Sequence, residues 1–131
     1  MSERPAMTIT GIVLGAHDAR ELAAFYRELL GWQTGADEPG WVTLRPPHDG
    51  PGLAFQTEDG HVRPVWPSGP ADQQMQVHLD ILVDDLEVSG AHAVAAGAVL
   101  AEFQPQEYVR VYLDPAGHPF CFWVYPPGFD H

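Results

Sequence analysis

Two stretches of this sequence, ITGIVLGAHDA and QVHLDILVDDL, run parallel with Asp18 opposite Asp85, and each opens a segment with the same order of elements. Residues Thr8 to Ala16 alternate, with Ile12 and Leu14 on one face and Gly11, Val13 and Gly15 on the other, which predicts a strand. Leu22, Phe25, Tyr26, Leu29 and Leu30 follow at helical spacing, framed by Asp18 with Glu21 three residues on and by Gly31 at the end. Short strands are expected at Trp32 to Thr34, Trp41 to Arg45 and Leu53 to Thr57. Residues 58–74 are rich in Pro and Gly without a period and read as a connecting loop. The order then restarts. A strand is expected at Gln76 to Val83, a helix from about Asp84 to Ala96 capped by Asp84 and closed by Gly97, and strands at Ala98 to Phe103, Glu107 to Leu113 and His118 to Val124.

Neither half is large enough to bury its own sheet face alone, so each copy needs the other. The pattern implies an α+β fold of two βαβββ modules in one domain spanning residues 1–131. Module 1 covers about 8–57, the connecting loop 58–74, and module 2 about 75–125. One face of each sheet carries a helix, and the other faces are left to curve round a shared cavity.

Charge narrows the choice of partner. With 6 Lys+Arg against 18 Asp+Glu the net charge is −12, which repels phosphate backbones and anionic lipid headgroups and leaves nucleic acid and membranes as poor candidates. Solubility is the plainer reason for such acidity, with a weak bias toward cationic ligands beside it. No stretch approaches the ~18 apolar residues of a membrane span, the start MSERPAMTIT lacks a signal peptide's basic and apolar run, and the single Cys121 fits a reducing compartment. A cytoplasmic protein is the expectation.

Alternation also assigns the strand faces. With Leu79, Ile81 and Val83 under the helix, His78 and Asp80 face the cavity; Val109, Val111 and Leu113 under the helix would turn Tyr108, Arg110 and Tyr112 inward. Phe120, Phe122 and Val124 leave Cys121 and Trp123 inward, and Trp41 and Thr43 point in opposite Val42 and Leu44. The expected lining is therefore aromatic, with one His, one Asp, one Arg and one thiol.

Three segments, HDARELAAFYRELLGW, HLDILVDDLEVSGAHAVAAGA and VYLDPAGHPFCFWV, resemble the vicinal oxygen chelate superfamily of glyoxalase I, bleomycin-resistance proteins, fosfomycin-resistance enzymes and extradiol dioxygenases, in particular its glyoxalase-like branch. The resemblance spans nearly the whole chain and implies a homodimer. Metal-using members place ligands on the first and last strands of each half. Carried onto this sequence, those positions are Gly11, Gln56, His78 and Cys121. Glycine has no side-chain donor and glutamine is a poor one, so the usual metal set is broken and no cofactor is expected, with a non-standard Zn, Fe, Mn or Ni left open. The Lewis acid of glyoxalase I and dioxygenase chemistry would then be missing.

The site residues admit two readings each. His78 and Asp80 form an H-x-D pair able to act as base and orienter or as ligands of a degenerate metal site, against the plainer reading of a closed polar network of Asp80 with Arg110. Cys121 is a nucleophile if His78 lowers its pKa, but between Phe120 and Phe122 it reads more simply as a small buried hydrophobe. A Zn²⁺ held by Cys121, His78 and Asp80 has suitable donors but no sequence-proximal spacing behind it. Trp41, Phe55, Trp66, Tyr108 and Trp123 could stack on a planar or cationic ligand, with Trp66 in RPVWP as a lid. His17, His48, His61, His92, His118 and His131 form no ligand pattern. The expectation is a glyoxalase-like protein that binds or sequesters a small apolar, aromatic or cationic molecule at Trp41, Gln56, Trp66, His78, Tyr108, Arg110, Cys121 and Trp123. The alternative is a lyase, isomerase or oxygenase using His78 and Asp80 with a non-standard metal.

Overall fold

Asp18 and Gly31 set the limits of the first helix. In the computed structural model, which describes residues 4–129, Asp18 is extended and its carboxylate accepts from the Arg20 and Glu21 amides, while Gly31 turns left-handed at φ 71 and its amide donates to the Arg27 carbonyl. The left-handed turn is why a glycine stands there. Between them helix α1 (Ala19–Leu30) buries Leu22, Ala23, Phe25 and Tyr26. It packs on strands β1 (Gly11–Ala16), β2 (Gln33–Glu38), β3 (Trp41–Arg45) and β4 (Gly52–Thr57), ordered β1-β4-β3-β2 with β1 and β4 parallel. Tyr26 stacks on Phe55 at 5.5 Å, and Leu14, Val42, Leu44 and Phe55 close the core against the helix. Each such side chain contributes about 1.5–3 kcal/mol by leaving water. Thr57 ties the helix start to the sheet, accepting from the Ala19 amide and donating to the Pro39 carbonyl, each at 3.0 Å.

The second unit, from Asp59 onward, repeats this topology. Strands β5 (Leu79–Leu82), β6 (Val99–Leu100), β7 (Val109–Leu113) and β8 (Pro119–Trp123) lie in the order β5-β8-β7-β6, again with the first pair parallel, and carry helix α2 (Leu86–Ala96). The helix is one residue shorter than α1. Its cap is Asp85 rather than Asp84: the Asp85 carboxylate accepts from the Glu87 and Val88 amides. Strand lengths shift as well. The second strand runs on to Glu38, whereas β6 shrinks to Val99–Leu100.

A larger correction concerns β7. The ladder pairs Arg110 with Phe122 and Tyr112 with Phe120, placing Arg110 and Tyr112 on the helix side. Tyr112 stacks on Phe120 at 5.6 Å and lies under Gly90 of α2. Val109 and Val111 take the opposite face.

The DPAG turn after β7 is held by Asp114, only 1% exposed, whose carboxylate accepts from the Ala116 and His118 amides at 2.9 Å. Gly117 turns at φ +92 against Arg63 and Pro64, and His61 and Arg63 donate to the Ala116 and Pro115 carbonyls. The loop before β5 is thus fastened to this turn. No helix among the described residues is long and apolar enough to cross a membrane. His131 lies outside the described residues.

Candidate functional site

Residues paired across a ladder share a face, so register shows what each sheet presents away from its helix. In the first unit Gly11, Val13 and Gly15 pair with Gly52, Ala54 and Gln56, and Ala54 and Gln56 pair in turn with Thr43 and Trp41. Glycine and alanine leave that face low, and Trp41 stands above it. The result is a cleft of about 510 Å³ over Gly11, Val13 and Ala54, with Trp41 and Thr43 beside them and Arg45, His48 and Asp49 also in its lining. A Cβ on Gly11 would meet only the Gly52 carbonyl oxygen, at 3.7 Å, so that glycine keeps the cleft open without being required by the backbone. Gln56 shares the face with Trp41, and its amide donates to the Glu58 carboxylate at 2.9 Å.

In the second unit Asp80 pairs with Cys121, Cys121 with Val111, and Trp123 with both Leu82 and Val109. His78 precedes β5 by one residue and stands two residues before Asp80. Its Nε2 lies 3.3 Å from Asp80 Oδ1, an ion pair whenever the imidazole is protonated, with the two side chains 42% and 64% exposed. His78, Asp80, Cys121, Trp123, Gln106 and Val109 line a cleft of about 320 Å³. Burial, the neighbouring Asp80 charge and a hydrogen bond to Asp80 push the Cys121 thiol up to about 11. That is opposite to the lowering a His78-activated nucleophile needs.

The structure thus brings His78, Asp80, Cys121 and Trp123 together and sets others apart from them. Arg110 donates to the carbonyls of Gln106, Glu107 and Val109 from the helix side of its sheet, so the expected Asp80–Arg110 network does not form. Tyr108 sits in the turn before β7, where its carbonyl accepts from the Val124 amide. Trp66 lies against Phe103, with ring centroids 5.5 Å apart, and does not line the cleft at His78. Phe55 is wholly buried under α1 instead of facing a ligand. Gln106 and Val109, and in the first unit Arg45 and His48, are lining residues the sequence reading missed. The pairing of Val109 with Trp123 would have revealed the first of these strand positions, but a ladder is not visible in one sequence.

A family model described as a glyoxalase-like domain matches residues 11–123. The chain belongs to the glyoxalase-like domain family. This places it in the vicinal oxygen chelate superfamily, and solved structures agree on the fold. One is a glyoxalase/bleomycin resistance protein/dioxygenase family enzyme from Burkholderia phytofirmans PsJN, with TM-score 0.67 and 19% identity, covering 90% of this chain and 98% of that one. TnmS3, an antibiotic binding protein from Streptomyces sp. CB03234, has TM-score 0.63 and 18% identity, covering 95% and 100%. A lactoylglutathione lyase from Agrobacterium tumefaciens has TM-score 0.62 and 18% identity, covering 96% and 100%. No curated protein sequence matches the chain.

Membership in the glyoxalase-like family raises the question of a metal. The four family positions do not fit one here: Gly11 brings no donor atom, and the Gln56 amide is a weak, neutral ligand engaged with Glu58. Only His78 and Cys121 among them carry good metal-binding chemistry.

Proposed function

We propose that this glyoxalase-like protein binds and sequesters a small planar, largely apolar molecule, aromatic and neutral or cationic, without the family's usual metal. The observation that carries the reading is the first-unit cleft of about 510 Å³, floored by Gly11, Val13 and Ala54 beside Trp41. Its size falls within the roughly 300–1,000 Å³ typical of small-molecule sites, and an indole beside a low floor suits a flat ring. A net charge of −12 favours a cation over an anion, as does Asp49 in the lining, where Arg45 opposes it. TnmS3 is described as an antibiotic binding protein, so a structure of this fold is compatible with sequestration.

Calorimetric titration with a panel of planar aromatic compounds, cationic and neutral, tests the reading. A binder with Kd near 1 μM, about −8 kcal/mol, is expected, weakened at least about tenfold by Trp41→Ala and by Gly11→Leu, which fills the cleft. The compound should be recovered chemically unchanged. A panel with no binder, or a binder indifferent to both substitutions, rejects the cleft. Turnover of the compound would instead favour the reading in which His78 and Asp80 serve a lyase, isomerase or oxygenase.

A further inference from the structure

The parallel pairing of β5 with β8 sets Asp80 beside Cys121, and the two-residue period of a strand returns His78 to the same face. An imidazole nitrogen, a carboxylate oxygen and a sulfur therefore converge, all within 4.8 Å of one another. We propose that His78, Asp80 and Cys121 form a zinc site held entirely by the second unit, with Asp80 supplying a ligand that the family's four positions do not include.

The donor set selects the ion. Sulfur and imidazole bind a borderline-soft cation such as Zn²⁺ far better than Mg²⁺ or Ca²⁺, which take oxygen. Tetrahedral bonds of about 2.0–2.3 Å put ligand atoms roughly 3.3–3.8 Å apart, so this trio needs to close by about 1 Å. His78 and Asp80 are 42% and 64% exposed, and side chains that free reach such positions by rotation alone. Their 3.3 Å approach is already at the tetrahedral spacing. Binding converts the Cys121 thiol to a zinc thiolate and releases its proton to solvent, with no change of oxidation state. Three protein ligands leave a fourth position, which the cleft bordered by Gln106 and Trp123 leaves open to water or to one donor atom of a small ligand. This is the arrangement of a zinc that meets a ligand rather than one that only staples a fold.

The site shares no residue with the Trp41 cleft, so either proposal can fail alone. The experiment titrates Co²⁺ into untagged, chelator-stripped full-length protein and follows the absorption spectrum. One equivalent of Co²⁺ is expected to give tetrahedral d–d bands and a thiolate-to-cobalt charge-transfer band in the near ultraviolet, both removed by one equivalent of Zn²⁺. Cys121 is the chain's single cysteine, so the sulfur band reports this site and no other. Cys121→Ser should abolish that band with melting temperature and circular dichroism preserved. His78→Ala and Asp80→Asn should each weaken Co²⁺ binding at least about tenfold. Absence of the sulfur band in the wild type with millimolar Co²⁺ overturns the proposal. So does unchanged affinity in both His78→Ala and Asp80→Asn, which would place the ion elsewhere.

Discussion

A thiol that titrates at about 11, as Cys121 does, keeps its proton throughout the physiological range. Burial is the main cause, and the Asp80 carboxylate adds to it by repelling a thiolate and accepting the S–H hydrogen bond. The sign for reactivity follows: only the thiolate attacks, so raising the pKa slows alkylation at any pH below it. At pH 8 the thiolate fraction is roughly a thousandth, against about a tenth for a thiol at the ordinary value of 9.0. Metal-free protein is therefore expected to react slowly with iodoacetamide at pH 8, with the rate still climbing through pH 10. Asp80→Asn removes the charge but leaves the burial, so its thiol should titrate between 9 and 11 and alkylate severalfold faster at pH 8. Stopped-time mass spectrometry gives both rates, and rapid wild-type labelling at pH 7 would contradict the assignment. The same pair explains why sequence reasoning located Cys121 on its strand face and left two readings of its chemistry open. Strand alternation locates the thiol, but whether its neighbour is an imidazole or a carboxylate depends on β5–β8 register.

At the scale of elements, the helices and their ends were legible because their signals are local: Asp18, Gly31 and Gly97 each act within a turn of the residues they cap. Asp84 and Asp85 are adjacent carboxylates, and only geometry shows that the second does the capping. Strand β7 was not legible in the same way. In VRVYL both alternate sets contain large apolar atoms, so the period exists but its phase is fixed only by pairing with β8, which puts Tyr112 under α2. The cleft of the first unit was hidden for another reason. Gly11 read as a missing ligand, whereas in the structure its lack of a side chain contributes the space. Gly90 shows the cost of the Tyr112 placement. Replacing a helix-interior glycine by alanine ordinarily stabilises by about 1 kcal/mol, but a Cβ here would overlap the Tyr112 hydroxyl. Gly90→Ala is expected to destabilise by about 1–3 kcal/mol in urea unfolding, and adding Tyr112→Phe should recover a large part of that loss. A stabilising Gly90→Ala would show that Tyr112 does not lie beneath the helix.

For the whole molecule the acidity and the exposed apolar residues pull in opposite directions, and their balance bears on the homodimer implied by the family. Helix α2 packs beside β6, and on that strand Val99 and Leu100 are 59% and 50% exposed. Strand β6 also ends its sheet, with β7 as its one neighbour in the sheet order. Apolar side chains next to an edge strand are the kind of surface that a second copy covers. Each copy, however, brings a charge of −12, so association has to overcome like-charge repulsion. Salt shortens the reach of that repulsion from about 30 Å at 0.01 M to about 10 Å at 0.1 M and hardly touches apolar contact. A dimer built this way therefore tightens as salt is added, whereas one held by ion pairs loosens. Sedimentation equilibrium at both ionic strengths is expected to show a dimer that strengthens severalfold in the higher salt. Val99→Asp with Leu100→Glu should shift it to monomer while leaving the Co²⁺ spectrum intact. A wild-type monomer at tens of micromolar in both buffers rejects the dimer, and a dimer indifferent to the double substitution moves its interface away from β6.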